Sequence, residues 1–317
     1  MSASETLPDL LQQTHEVRGE EVFYRFSNGL TIKTEVFNKK DRLRILPLGS
    51  PQGSLMNHVL NFPKTVRDKR VLEPFAGSGA LGFMALKAGA AHVDFLDINP
   101  RAADFQRQNA ALNQFSSDQF TTITADIADF VPGRKYDLIL ANPPFVPTPE
   151  GIEGTITSNG GPEGSRFAAI LLERLEEFLE PGGRALIYVF QFAKDARPLI
   201  VELLARTSKR RPVELTPAQE QPIPFETYCK AYRQLFPTAS PAIERWRSDL
   251  LRLHGSGLVL CHYVVDIGRE SDSPTDCVIQ ENFARKFGES FFVPSENEDE
   301  LAFGRVFENF TSVSRVG

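Results

Sequence analysis

Residues 71–79 read Val71-Leu72-Glu73-Pro74-Phe75-Ala76-Gly77-Ser78-Gly79, and this stretch decides the fold. A short buried strand runs into a glycine loop, and an alanine- and leucine-rich helix follows, ending at Gly89. The run Gly77-Ser78-Gly79-Ala80-Leu81-Gly82 satisfies G-x-G-x-x-G between strand and helix, where missing side chains let a nucleoside-bearing ligand approach bare backbone. The strand–helix pattern then repeats. His92–Asp97 reads as a second strand, and Asn99-Pro100 as the N-cap and first turn of a helix reaching about Leu112. Phe120–Ala125 and Tyr136–Ala141 are a third and a fourth strand. Phe167, Ile170, Leu171, Leu175, Phe178 and Leu179 form a helical apolar stripe broken by Arg174 and stopped by Pro181-Gly182-Gly183. Ala185–Phe190, a helix over 196–206, and β-rich runs at Pro212–Leu215 and Gly257–Ile267 complete the series. Strands alternating with helices predict a doubly wound, mostly parallel, seven-stranded α/β sheet of Rossmann-like type, with the strand near 212–215 parallel to the first five.

Composition narrows the function classes. The 317 residues are 41% hydrophobic and 24% charged, as expected of a soluble globular chain with a large core. A net charge of −6 weighs against a general nucleic-acid binder. Three widely spaced cysteines, Cys229, Cys261 and Cys277, predict a reducing, cytoplasmic setting with neither a disulfide framework nor a metal site. No run approaches the roughly 20 apolar residues of a membrane span, and no signal peptide is evident.

Around the central domain (63–269) lie three further regions. Residues 1–62 read as an arm and a cap: 1–19 polar and loosely packed, then a hairpin around Asn28-Gly29, then a short helix. Residues 217–256 exceed a simple hairpin between the last two strands and are expected to be a helical insertion covering a substrate site. Its Phe225, Tyr228, Tyr232 and Trp246 offer flat surfaces, with Arg233, Arg245 and Arg247 available to an acidic partner. The tail, 270–317, carries seven phenylalanines and is expected to pack on the domain or in an oligomer interface.

The chemistry is expected at Asn142-Pro143-Pro144-Phe145. Two prolines stiffen the backbone and leave acceptor carbonyls without N–H donors. A planar NH2 group could donate to the Asn142 side chain and the Pro143 carbonyl while its π-system stacks on Phe145, with Pro144 beside it. An in-line displacement by such a nitrogen needs positioning more than a strong base.

Residues 71–79 resemble the first motif of S-adenosylmethionine-dependent methyltransferases in its Pro-Phe-x-Gly-x-Gly form. Residues 94–102 (DFLDINPRA) look like the second and 124–130 (TADIADF) like the third. The resemblance implies a cofactor site of Glu73, Phe75, Ala76, Gly77, Gly79, Asp97, Ile98, Asp126, Ile127 and Asn142, with S-adenosylhomocysteine as product. Asp97 would hold the ribose, Asp126 the adenine amino group and Ile127 its face. The acceptor would meet Asn142, Pro143 and Phe145. Over about 65–195, ANPPFVPTPE and SNGGPEGSRFAAILLERLEEFLEPGG are similar to the N-methyltransferases that modify glutamine in protein release factors. The helical recognition domain of that family is replaced by the hairpin at 20–37. The acceptor reads as a planar nitrogen (amide, amino or guanidine-like) of a protein side chain or small molecule, ahead of a nucleic-acid base. A nicotinamide-dependent oxidoreductase and a non-catalytic methyltransferase-like subunit are the competing readings. The oligomeric state is not legible.

Overall fold

The computed structural model describes residues 13–36, 43–152, 158–208, 210–218, 222–273 and 276–280. Three strands come first: β1 (Gln13–Arg18), β2 (Glu21–Phe26) and β3 (Thr31–Glu35) form one antiparallel sheet in that order. The turn forms as its sequence predicts, with Gly29 at φ +82° and the Asn28 side chain accepting from the Leu30 amide at 3.1 Å. Residues 13–18 differ from the loose arm expected. They pair with β2 from Gln13↔Phe26 to Arg18↔Glu21, because an open strand edge offers backbone groups to any neighbouring segment, polar or not.

The domain follows as α1 (Ser50–Asn61), β4 (Arg70–Pro74), α2 (Ala80–Lys87), β5 (His92–Asp97), α3 (Pro100–Leu112), β6 (Phe120–Thr124), β7 (Tyr136–Ala141), α4 (Arg166–Glu173) and α5 (Leu175–Phe178). Then come β8 (Leu179–Lys194), β9 (Arg197–Pro198), α6 (Ile200–Thr207), β10 (Val213–Pro217), β11 (Ile223–Pro224), α7 (Phe225–Leu235), α8 (Ser240–His254), β12 (Val259–Ile267) and β13 (Cys277–Ile279). The sheet order is β13-β10-β12-β8-β7-β4-β5-β6, with β11 on β12 and β9 on β8. The seven expected strands are all present. β13, from the start of the tail, adds an edge strand parallel to β10. Since β12 is antiparallel to both β8 and β10, β10 runs parallel to the first five, as expected.

Side chains alternate across this sheet. Val71, Leu138, Leu140, Leu186 and Val264 share a core with α1, α2 and the inward residues Val22, Tyr24 and Phe26 of β2. Leu72, Ile139, Ile187, Val189 and Val265 pack with α4, α5 and α6 on the other face. The chain leaves β4 through α2 toward β5 and β6, then returns to β7 on β4's other side. That reversal opens a crevice at the carboxyl ends of β4 and β7, where open α/β sheets hold ligands.

The striped helix is shorter than its apolar pattern. It breaks at Arg174 and ends at Phe178, and Leu179 already pairs with Tyr136. Arg174 leaves the helical pattern because its guanidinium donates to the Ala128 carbonyl at 2.7 Å, the Phe130 carbonyl at 2.9 Å and the Ile127 carbonyl. The phenylalanine-rich part of the tail, 281–317, lies outside the described residues.

Candidate active site

Beyond β4 the backbone takes an unusual path, with Phe75 at φ +61°, Gly77 at +50° and Gly79 at +82°. A non-glycine residue in that region is strained and persists only when its surroundings hold it. Several bonds do so here. Glu73 accepts from the amides of Leu81 (3.2 Å) and Gly82 (2.6 Å), satisfying two free donors in the first turn of α2. The Gly77 amide donates to Asp97 at 2.7 Å. From α3, Gln106 donates to the Gly77 carbonyl (3.1 Å) and Asn109 to the Ser78 carbonyl (2.9 Å). Burial pushes the Glu73 carboxyl up to about 8 and raises that of Asp97 as well.

The loop's glycines have separate reasons. A Cβ on Gly77 would meet nothing within 4 Å, so this residue faces open space. A Cβ on Gly79 would lie 2.8 Å from Phe83 and 3.0 Å from Phe95, and one on Gly82 would lie 2.6 Å from Val93. Gly79 was expected to leave room for a ligand. Its backbone angle and the rings beneath it also require the glycine in the chain alone.

Asp97, at the end of β5, also accepts from the Asn99 amide at 2.8 Å. Next to it Ile98 is 50% exposed, a large apolar side chain left open just past the carboxyl end of β5. Ile127, expected to offer an apolar face, is instead 5% exposed and belongs to the core, since Arg174 draws its segment onto the helix. Asp126 is turned to the Ala128 amide at 2.9 Å, and Ala76 is buried.

After β7, Asn142 presents a buried side-chain oxygen that bonds nothing among the described residues. No described residue donates to the Pro143 carbonyl either. Pro144 is part-exposed, and Phe145 packs against Tyr188 (centroids 5.7 Å apart), Phe190 (6.4 Å) and His262 (6.0 Å). The glycine run at 160–164 clamps the loop. Val146 donates to the Ser158 carbonyl and Gly160 to that of Val146, both at 2.9 Å, and a Cβ on Gly160 would lie 2.7 Å from the Phe145 backbone.

The insertion leaves β10 at the ligand edge and seats on this loop. Tyr228 and Tyr232 donate to the Pro147 carbonyl (3.2 and 2.9 Å), Trp246 donates to that of Pro162 (2.9 Å), and His254 pairs with Glu163 (3.0 Å). Phe225, Tyr228, Tyr232 and Trp246 are buried against Phe190, Phe192 and Leu260. They therefore present no flat faces outward, contrary to expectation, because each polar tip is spent on a loop carbonyl and the rings pack on one another. Arg233 pairs with Glu244, and Arg247 with Glu226 at 2.8–2.9 Å, so neither awaits an acidic partner. Arg245 is exposed.

Gln106 and Asn109 were not anticipated, since buried amides inside an amphipathic helix leave no distinctive spacing. Asn109 also exchanges bonds with the Lys33 backbone and Asn113 with that of Thr31, so α3 ties the N-terminal sheet to the glycine loop. Among the described residues there is no cluster of side chains suited to a metal, and no helix is long and apolar enough to cross a membrane.

Residues 53–209 match the family model described as methyltransferase small domain. A protein of Methanocaldococcus jannaschii, whose name marks it as a candidate protein N5-glutamine methyltransferase, is 33% identical over 127 residues, covering 37% of this chain and 60% of that one. The ribosomal RNA large subunit methyltransferase I of Aliivibrio fischeri is 30% identical over 138 residues, 42% of this chain and 33% of that one. The chain thus spans between a third and three-fifths of these relatives. Among solved structures, a SAM-dependent methyltransferase from Agrobacterium tumefaciens shares the fold at TM-score 0.51 and 15% identity, over 80% of this chain and 72% of that one. S-adenosylmethionine is the cofactor in the name of that A. tumefaciens protein, and the residues here fit such a ligand: Gly77 faces open space, the exposed Ile98 follows Asp97, and the Asn142 oxygen has no partner among the described residues.

Proposed function

We propose that residues 53–209, which match the methyltransferase small domain, form an S-adenosylmethionine-dependent domain that transfers a methyl group to a planar nitrogen, on a protein side chain or small molecule in preference to a nucleic-acid base. The cofactor, when bound, supplies a methyl group activated on a sulfonium. Gly77 gives it access to the backbone, Asp97 offers a carboxylate to ribose hydroxyls, and Ile98 covers the adenine face. Asp126 and Phe75 complete that side of the pocket.

The observation that carries the reading is the buried, unpartnered oxygen of Asn142 on a loop stiffened by two prolines. A buried acceptor without a donor is costly, and a planar NH2 group satisfies it. With the Pro143 carbonyl taking the second N–H, the nitrogen's remaining direction points away from both, toward the crevice. Phe145 limits the group to a flat one. Binding geometry would supply much of the acceleration, and the proton that the nitrogen sheds on methylation would leave along its hydrogen bonds to Asn142 and the Pro143 carbonyl toward water, so no residue has to act as a strong base.

Protein substrates are favoured by the M. jannaschii relative's name and by the acidic balance of this chain. The A. fischeri relative's name keeps RNA as the competing class. Incubation with methyl-labelled S-adenosylmethionine and fractionated extract decides between them. Label on a protein or small-molecule nitrogen supports the reading, and label on RNA alone overturns its substrate class. Label on carbon or oxygen overturns the role given to Asn142.

A further inference from the structure

We infer that Tyr188 and His262 hold a second polar atom of the acceptor group: the hydrogen-bond acceptor on the carbon that bears the methylated nitrogen. This rests on the Asn142 reading above and adds residues that no motif identifies. Tyr188 and Phe190 lie on one face of β8, and His262 stands opposite Phe190 across the β8–β12 ladder. The His262 and Phe190 rings stack at 4.1 Å and 14°. Tyr188 lies 5.5 Å from His262, and Phe145 meets His262 edge-on at 88°. Four rings therefore form one wall beside the Asn142 loop.

The polar side-chain atoms in that wall are the Tyr188 hydroxyl and the two His262 ring nitrogens. None bonds a described residue, and His262 Nδ1 is buried. Stability does not call for them there. Leaving a polar group unsatisfied costs about 1–3 kcal/mol, and phenylalanine would fill either position without that cost. His262 is part-exposed as a residue, yet burial pushes its imidazole down to about 3, so it is neutral and carries one N–H. Burial likewise raises the Tyr188 hydroxyl, which stays protonated. The wall therefore offers two donors against Phe145, on the loop that carries Asn142.

A planar N–C=O or N–C=N unit matches both. Its NH2 donates to Asn142, and its carbonyl oxygen or ring nitrogen accepts from Tyr188 and His262. A guanidinium or an ammonium has no acceptor to offer and leaves the donors unpaired, so the wall selects carboxamides and amino heterocycles over arginine and lysine.

The test uses the full chain with S-adenosylhomocysteine, titrated with propionamide, 9-ethyladenine or methylguanidinium. It follows the 15N resonances of the histidine rings and the probe affinity. At least one of the first two probes should displace the His262 signal. That probe should bind His262→Phe and Tyr188→Phe about three- to ten-fold more weakly, the scale of one neutral hydrogen bond. Both variants should keep their cofactor affinity and melt no lower than wild type, which a structural role would not allow. Methylguanidinium should fail to bind. The inference is overturned if neither probe moves His262, if probe affinity is unchanged in both variants, or if methylguanidinium binds as well as the others. Which probe binds separates an amide from a nucleobase acceptor. Asn142→Ala binding the probes like wild type would defeat the Asn142 reading whatever His262 does.

Discussion

The Tyr232 hydroxyl donates to the Pro147 carbonyl across 2.9 Å, joining the insertion to the loop that carries Asn142. Tyr228 shares the same carbonyl at 3.2 Å, so one removal leaves it satisfied and two do not. Tyr232→Phe should cost about 1 kcal/mol of stability, and Tyr228→Phe/Tyr232→Phe together clearly more than the sum of the singles. In the double variant acceptor KM should rise while S-adenosylhomocysteine affinity holds. Denaturant melts and calorimetry read both, and additive losses would show that the shared carbonyl is unimportant.

The insertion also covers Phe190, Phe192 and Leu260. Replacing 222–252 with a short Gly-Ser turn would expose those side chains, and the expected product is insoluble or molten. A well-folded deletion with a sharp thermal transition would mean that the insertion is a dispensable lid.

Asn142→Ala removes the unpartnered oxygen and nothing that bonds to it. Turnover should fall by about 100-fold, the scale of one lost group in a transition state, while cofactor affinity stays within about a factor of three. Near-normal turnover would move the acceptor grip elsewhere.

Asp97→Ala should weaken S-adenosylhomocysteine binding by about 1.5–3 kcal/mol. Part of that loss is indirect, because the Gly77 amide gives up its 2.7 Å bond. Asp97→Asn retains an acceptor for Gly77 and should recover part of the affinity in calorimetry. Equal losses in both variants would assign the effect to the carboxylate charge alone.

Glu73 gives a pH signature. Its folded carboxyl, pushed up by burial to about 8, binds a proton more readily than it does unfolded, where 4.5 applies. Its contribution is therefore full below about pH 4.5 and declines as pH rises toward 8. Thermal melts from pH 5 to 8.5 should show wild type losing stability relative to Glu73→Gln. Parallel curves would mean that the two amides from Leu81 and Gly82 hold the carboxylate ionised.

By itself the sequence determined the strand–helix alternation, the hairpin at Asn28-Gly29, the direction of β10, and the loops at 75–79 and 142–145. Those features depend on local rules, namely side-chain periodicity, glycine and proline backbone limits, and turn chemistry. Tertiary structure decided the rest. Gly79 reads as a ligand-facing glycine, and Phe83 and Phe95 beneath it add a packing reason that the sequence does not show. Phe225, Tyr228, Tyr232 and Trp246 read as open aromatic surface until Phe225 packs on Phe192 and the carbonyls of Pro147 and Pro162 claim the polar tips of the other three. Gln106, Asn109 and Arg174 look like ordinary helix residues, and only folding brings them against loop carbonyls. Tyr188 and His262 lie 74 positions apart on strands with no motif, and the β8–β12 pairing alone makes them neighbours. Burial and the choice of hydrogen-bond partner belong to the packed chain, because each depends on residues distant in sequence.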